Sequence, residues 1–406
     1  MKNKISALLL GTALTLATGS LAFGQDKTVK IGALSDQSGL YADLGGPGST
    51  LAAQMAAEDS GLTAKGWKID IISGDHQNKP DIGTSIARQW FDVDKVDVIV
   101  DVPNSGVALA VNNVVKEKNG VYINSGAATS DLTNAQCSPN TVHWTYDTYM
   151  LAHTTGQALV KAGGDTWFFL TADYAFGAAL ERDTTAVIAA NGGKIVGGVK
   201  HPLNTSDFSS FLLQAQSSKA KIIGLANAGG DTTNSIKQAA EFGIVKGGQK
   251  LAALLLFLTD VKAIGLETAQ GLNFTETFYW DMNDDTRAFS KKFAARMKNG
   301  APPTMVQAGV YSGLLHYFKA LDAMGGNSHD GIKVVDKMKS MPTDDTLFGK
   351  GEIQPNGRTI HSAYLFEVKK PSESKAPWDF YKLVGTVPGD QAFTPLSESK
   401  CPLLKK

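Results

Sequence analysis

Residues 120–133 read Gly-Val-Tyr-Ile-Asn-Ser-Gly-Ala-Ala-Thr-Ser-Asp-Leu-Thr. An apolar stretch, Val121 to Ile123, runs into six small or hydroxylic residues, Ser125 to Ser130, and Asp131-Leu132 then opens a helical turn. Small residues let a ligand approach the backbone closely. N–H groups at a strand-to-helix turn point outward and favour an anion. Ser125, Thr129 and Ser130 add hydroxyls. No acid, base or nucleophile stands among them, so the chemistry on offer is that of holding a carboxylate rather than transforming it.

The remaining reactive residues form no catalytic pattern. There is no G-x-S-x-G, H-E-x-x-H, G-x-x-x-x-G-K-[ST] or C-x-x-C, and Gly45-Gly46-Pro47-Gly48 lacks dinucleotide-binding spacing. The seven histidines (76, 143, 153, 201, 316, 329 and 361) never fall at metal-ligand spacing. No metal, no cofactor and no catalytic residue is expected. A secreted α/β enzyme stays open as an alternative, needing a base beside a hydroxyl such as Ser105. A sensory ligand-binding subunit is a further alternative.

The N-terminus carries a secretory signature. Lys2 and Lys4 precede an apolar core over residues 5–16, and Ala22-Phe23-Gly24 supplies small residues for cleavage before Gln25. Residues 1–24 are read as a signal peptide, and no Cys follows the core to accept a lipid. The expected location is the periplasm. The mature chain of about 380 residues suggests two or three domains. Net charge is +0, which argues against a nucleic-acid or anionic-membrane partner. The two cysteines, Cys137 and Cys401, are expected to pair in an exported protein, fastening the C-terminal tail to the loop after the small-residue turn.

The elements that must position the turn alternate strand and helix. Strands are expected over 29–35, 68–73, 96–102 and 121–124, with helices over 46–60, 80–91 (Pro at its start) and 107–118. A second series follows Asp147: strands 166–171, 194–199, 221–226 and 251–258, and helices 150–162, 177–191, 208–217 and 233–242. Helices 289–297, 308–324 and 332–341 and strands 362–369 and 380–386 complete the chain. The fold class is α/β, two Rossmann-like lobes, each a parallel sheet flanked by helices. No low-complexity linker separates them, so the chain is expected to cross three times, near Tyr146, Glu276 and Thr346. The lobes are then 25–146 with 277–346, and 147–276 with 347–390, followed by a tail over 391–406.

Several segments together resemble a known family. The strand 29–35 followed by Ser38-Gly39-Leu40-Tyr41-Ala42, the turn at 125–133, and Asp173-Tyr174-Ala175-Phe176-Gly177 are similar, in this order, to motifs of the type I periplasmic substrate-binding proteins of ABC transporters, the leucine/isoleucine/valine-binding group. The resemblance covers nearly the whole mature chain. It implies a non-enzymatic receptor, monomeric, that closes on a small carboxylate and docks on a permease in the inner membrane.

By that resemblance Ser105, in Pro103-Asn104-Ser105-Gly106, matches the serine that bonds the ligand carboxylate. Gly126, Ala127, Ala128 and Thr129 match the turn that supplies N–H groups and a hydroxyl. Tyr41 matches an aromatic over the cleft, Tyr174 or Phe176 the aromatic closing from the second lobe, and Asn227 to Asp231 the next loop. One departure bears on the ligand. Amino-acid binders of the family place an acid after the strand read here as 251–258, to pair the ammonium; this chain has Leu254-Leu255-Leu256-Phe257-Leu258-Thr259 and no carboxylate before Asp260. An unpaired ammonium on an apolar wall costs several kcal/mol. With Tyr41, Tyr174, Phe176, Phe257, Tyr279 and Trp280 assigned to the cleft, an aromatic acid such as a benzoate or phenylpropenoate is favoured over a branched-chain amino acid or amide. Asp231 is the ammonium partner if it faces the cleft.

Overall fold

A computed structural model describes residues 26–327 and 329–404. The expected signal peptide lies outside the described residues. The first lobe is built on β1 (Thr28–Ser35), β2 (Lys68–Asp75), β3 (Val98–Asp101), β4 (Val121–Asn124) and β5 (Thr141–His143), parallel in the order β2-β1-β3-β4-β5. The second is built on β6 (Thr166–Ala172), β7 (Lys194–His201), β8 (Ile222–Ala226) and β9 (Lys250–Ala253), parallel in the order β7-β6-β8-β9.

Burial follows position in the sheet. β3 and β4 (VIVD and VYIN) and β8 (IIGLA) are buried throughout, as central strands covered on both faces must be. The edge strands β2, with Lys68, Asp70 and Asp75, and β7, with Lys194 and Lys200, keep solvent contact, which blunts their open hydrogen-bonding edges. Each strand-to-helix turn opens at the carboxyl end of its sheet. Helix Ser105–Lys118 starts there because the Asn104 side-chain oxygen accepts the N–H groups of Gly106 (3.0 Å) and Val107 (3.1 Å).

Beyond the two main sheets, β10 (Asn273–Glu276) pairs with β14 (Ala363–Val368), which pairs with β15 (Tyr381–Val387), all antiparallel. Phe274, Phe366 and Tyr381 from these strands join the second lobe's core with Leu170 and Ile223. A small sheet of β11 (Thr343–Asp345), β12 (Gly349–Ile353) and β13 (Thr359–Ile360) stays with the first lobe, where the His143 N–H donates to the Gly357 carbonyl at 2.8 Å. The third crossing therefore falls between Ile360 and Ala363, not near Thr346. Strands as short as β12 and β13 show no periodicity from which pairing could be read.

Two other expectations shift. The strand expected over 251–258 ends at Ala253: the chain turns at Leu254–Phe257 and enters helix Leu258–Ile264, where Asp260 accepts the Phe257 N–H at 2.9 Å. All of Leu254 to Leu258 is buried, and an apolar run is buried alike as strand, turn or helix. The helix expected over 289–297 begins earlier, at Asp284, because Asn283 caps it through the Thr286 N–H at 2.9 Å.

Cys137 and Cys401 form a disulfide, with Cα atoms 5.6 Å apart. Beside it, the Ser399 hydroxyl donates to the Thr133 carbonyl at 3.4 Å and the Lys400 N–H to the Asn134 side chain, holding the tail on the first lobe. Where the first crossing, the third crossing and the tail meet stands Arg358, buried. Its guanidinium pairs with Asp147 at 3.3 Å, donates to the carbonyls of Thr145 and Thr359, and lies 4.3 Å from the centre of the Phe393 ring.

Candidate ligand cleft

The turn after β4 is fixed by side chains on every side. Asn124 both accepts the Ala127 N–H (2.9 Å) and donates to its carbonyl (2.8 Å). The carbonyls of Ser125, Gly126 and Ala128 accept from the Thr145 hydroxyl (2.5 Å), the Tyr146 hydroxyl (2.6 Å) and the Thr148 N–H (2.8 Å). The Thr129 N–H donates to Ser105 Oγ at 3.2 Å. What remains open is three N–H groups, those of Ser125, Gly126 and Ala128, which have no hydrogen-bond partner among the described residues, and of these residues Gly126 and Ala128 line the cavity described next. The carbonyl dipoles are thus neutralised and the unpaired donors are left, the polarity an anion needs.

A small cavity opens on this turn. From the first lobe it is lined by Tyr41, Leu44, Pro103, Gly126 and Ala128, from the first crossing by Tyr146, and from the second lobe by Tyr174, Phe176, Ala228 and Leu255. Its free space is about 10 Å³, room for about one water molecule. The lobes meet tightly around it. The hydroxyls of Tyr41 and Tyr174 are 2.6 Å apart across the interface. A Cβ on Gly229, whose φ is +58°, would stand 2.8 Å from the Leu40 carbonyl oxygen, and one on Gly230 2.8 Å from the Leu40 side chain. A hollow of about 620 Å³ exists at the opposite, amino-terminal edge of the first sheet, lined in part by Lys30, Lys68 and Lys118. In open parallel sheets, however, ligands bind outside the carboxyl ends of the strands, where the small cavity lies.

Of the residues singled out in the sequence, Tyr41, Gly126, Ala128, Tyr174 and Phe176 line the cavity. Ala127 and Thr129 belong to the turn but give their N–H groups to Asn124 and Ser105, and Asn104 is spent on its helix cap. Phe257 sits behind the lining, edge-on to Tyr146 with ring centres 6.0 Å apart. Asn227 accepts from Thr232 (2.7 Å) and donates to Ser235, with His201 Nε2 at 3.1 Å, so its whole amide is engaged by the following helix and the end of β7. Tyr279 and Trp280 point elsewhere: both donate to the Trp378 carbonyl, and Tyr279 stacks on Tyr381. Ala228 falls in the loop, and Leu255 in the apolar wall, that the sequence reading assigned to the cleft; it missed Leu44 and Pro103, apolar residues with no mark to separate them from core, and Tyr146, which it read only as a crossing point.

No charged side chain lines the cavity. The Asp231 oxygens accept the N–H groups of Asn204 (3.1 Å) and Thr205 (2.8 Å), and burial raises its carboxyl to about 6. Asp260 is pushed up to about 7 by burial while it caps its helix. Burial also pushes Glu276 well above the usual carboxylate range, and the Tyr381 hydroxyl donates to it at 2.9 Å. These buried acids hold protein groups. Among the described residues there is no cluster able to hold a metal ion, and no helix is long and apolar enough to cross a membrane.

Comparison with known proteins places this arrangement. Residues 28–375 match the family model described as periplasmic binding protein. A periplasmic binding protein from Burkholderia mallei shares 54% identity and superposes with a TM-score of 0.90, covering 93% of this chain and 100% of its own. A branched chain amino acid ABC transporter periplasmic ligand-binding protein from Burkholderia xenovorans shares 42% identity at a TM-score of 0.81, covering 92% and 99%. The Leu/Ile/Val-binding protein homolog 6 of Brucella melitensis is 24% identical over 370 residues, 89% of this chain and 93% of its own. Two parallel-sheet lobes meeting over an uncharged cavity, and a family match across most of the chain, identify it as a member of the periplasmic binding protein family, a solute-binding protein of ABC transporters and not an enzyme.

Proposed function

We propose that the cleft holds a small carboxylate with an apolar or aromatic body and no ammonium group. The observation that carries this reading is the lining itself: two unpartnered N–H groups, at Gly126 and Ala128, among rings and aliphatic side chains, with no carboxylate facing in. The N–H pair takes the carboxylate, with Ser105 and Thr129 bracing the turn. Tyr41, Tyr146, Tyr174 and Phe176 supply ring edges and faces for the body. An ammonium would find Asp231 already occupied by backbone donors.

The free space is too small for such a ligand, so Tyr41 and Tyr174 must part to admit it and close again over it. The lobes, 25–146 with 277–360 and 147–276 with 361–390, move about the three crossings. The chain is exported by the signal peptide at 1–24, works in the periplasm as a monomer, and delivers its ligand to a permease in the inner membrane. The second reading, a branched-chain or other amino acid, is favoured by the name of the Burkholderia xenovorans relative.

The test is a thermal-shift and calorimetric comparison of benzoates and phenylpropenoates with leucine, valine and phenylalanine. A ligand present at 100 times its Kd adds about 2.7 kcal/mol of stability. Aromatic acids are expected to raise the melting temperature at micromolar concentration and the amino acids to do little. Tighter binding of leucine or phenylalanine than of every aromatic acid refutes the reading.

A further inference from the structure

The last residue of β3 and the one after it, both non-glycine, have left-handed backbone, Asp101 at φ +76° and Val102 at φ +57°. Such conformations cost of order 1–3 kcal/mol each and persist only where surrounding structure enforces them. Here the kink delivers Pro103 to the cavity and turns the Asp101 carboxyl inward, fully buried. Oδ2 accepts the Ser35 hydroxyl at 2.7 Å, and Ser35 Oγ in turn accepts the Gly46 N–H at 2.8 Å. Oδ1 has no partner. A Cβ on Gly126 would stand 2.4 Å from Oδ1, and one on Gly45 would stand 2.7 Å from Oδ2. The carboxyl is therefore wedged between two glycine turns, directly behind Gly126, which lines the cavity and whose N–H has no partner among the described residues.

We propose that Asp101 is a positioning residue that couples ligand binding to the uptake of a proton. The inference rests on the reading that a ligand carboxylate sits at Gly126 and Ala128. Ionised, Asp101 places a negative charge immediately behind those donors. Protonated on Oδ1, by a proton that solvent hydronium gives up to leave water, it leaves them their full attraction for the ligand. Two carboxylates sharing one desolvated site do not both stay ionised.

The surroundings favour this assignment. Burial, with Asp36 adding its charge, raises the Asp101 carboxyl to about 6. The other groups that face it are the hydroxyls of Ser35 and of Ser49 on helix Gly46–Asp59, and Tyr122 of β4, which donates to the Asp101 carbonyl at 3.3 Å. Tyr146 feels its charge from the first crossing. No basic side chain among the described residues pairs with it. A ligand anion raises the carboxyl further, so affinity is level at low pH and falls above about 6, by at most about tenfold per pH unit.

The experiment is calorimetry on the mature protein with benzoate, 4-hydroxybenzoate and leucine, from pH 5 to 8, in buffers of differing protonation enthalpy. Wild type is expected to take up close to one proton at pH 7 with whichever probe binds, and to weaken by about 30-fold or more between pH 6 and 8. Asp101→Asn, of the same shape, is expected to show neither effect. A pH-independent affinity in wild type overturns the proposal without need of the variant. Proton uptake that survives Asp101→Asn overturns it too, sending the proton to Asp231 or Asp260. Which probe binds best tests the ligand class separately: leucine binding best with proton uptake intact refutes that class and supports Asp101.

Discussion

Arg358 offers the sharpest test of how the crossings are held. It and Asp147 are each 1% exposed, and the ion pair between them is joined by guanidinium hydrogen bonds to two carbonyls. Burial lowers Arg358 to about 10, with Asp147 countering, and pushes Asp147 up despite its cationic partner. Arg358→Met keeps most of the packing on Phe393 but strands the Asp147 carboxylate in a dry site. Removing one member of a buried pair costs about 3–5 kcal/mol. Adding Asp147→Asn removes the stranded charge yet preserves the helix cap, since the amide oxygen still accepts the Met150 N–H that Asp147 now holds at 2.8 Å. The double variant should therefore regain about 2 kcal/mol or more over Arg358→Met. Urea unfolding of wild type, both single variants and the double, followed by circular dichroism and tryptophan fluorescence, gives the coupling energy. Arg358→Met within about 1 kcal/mol of wild type, or a double variant no more stable than Arg358→Met, refutes the reasoning.

Two further outcomes follow from buried groups. The Cys137–Cys401 bridge has a sequence separation of 264, for which chain entropy gives about 5–6 kcal/mol as an upper bound; replacing both cysteines with serine should lower the urea midpoint, and thiol titration of the denatured, unreduced wild type should find no free thiol. Asp260 is pushed up to about 7 from an ordinary 3.8, so its contribution is fully present below pH 4 and is lost as pH rises through 7. Asp260→Asn should then be more stable than wild type at pH 8, by up to about 4 kcal/mol, with the advantage gone at pH 4; chemical denaturation at both values checks the sign.

The alternation of strand and helix was legible because central parallel strands must be apolar runs and their helices must return over the sheet. Gly126 and Ala128 stood out as small residues at a strand end, whereas Tyr41, Tyr174 and Phe176 were reached only through the family resemblance of the segments that carry them. Asn104, Asn227 and Asp231 lie in segments that the resemblance assigned to the cleft, but their polarity suits them to caps and loop anchors, and the structure uses them that way. Leu44 carries no such mark, since only three-dimensional placement distinguishes an aliphatic wall from an aliphatic core. Asp101 reads as the last residue of a strand, and its inward turn depends on a backbone conformation that composition does not announce. The end of β9 was hidden inside an apolar run, and the third crossing among strands of two to five residues.

The flush contact of Leu40 and Tyr41 with Gly229 and Gly230 separates two properties that are usually entangled. At that seam the spacing of the lobes is set by hydrogen atoms where side chains would otherwise be. A single methyl at position 230 would act as a spacer, propping the seam ajar while leaving every group that lines the cavity unchanged. Kd,app is the intrinsic value divided by the fraction of molecules able to close. The seam therefore serves as an adjustment screw for sensitivity, able to set the solute concentration at which the receptor fills without altering which solute it prefers.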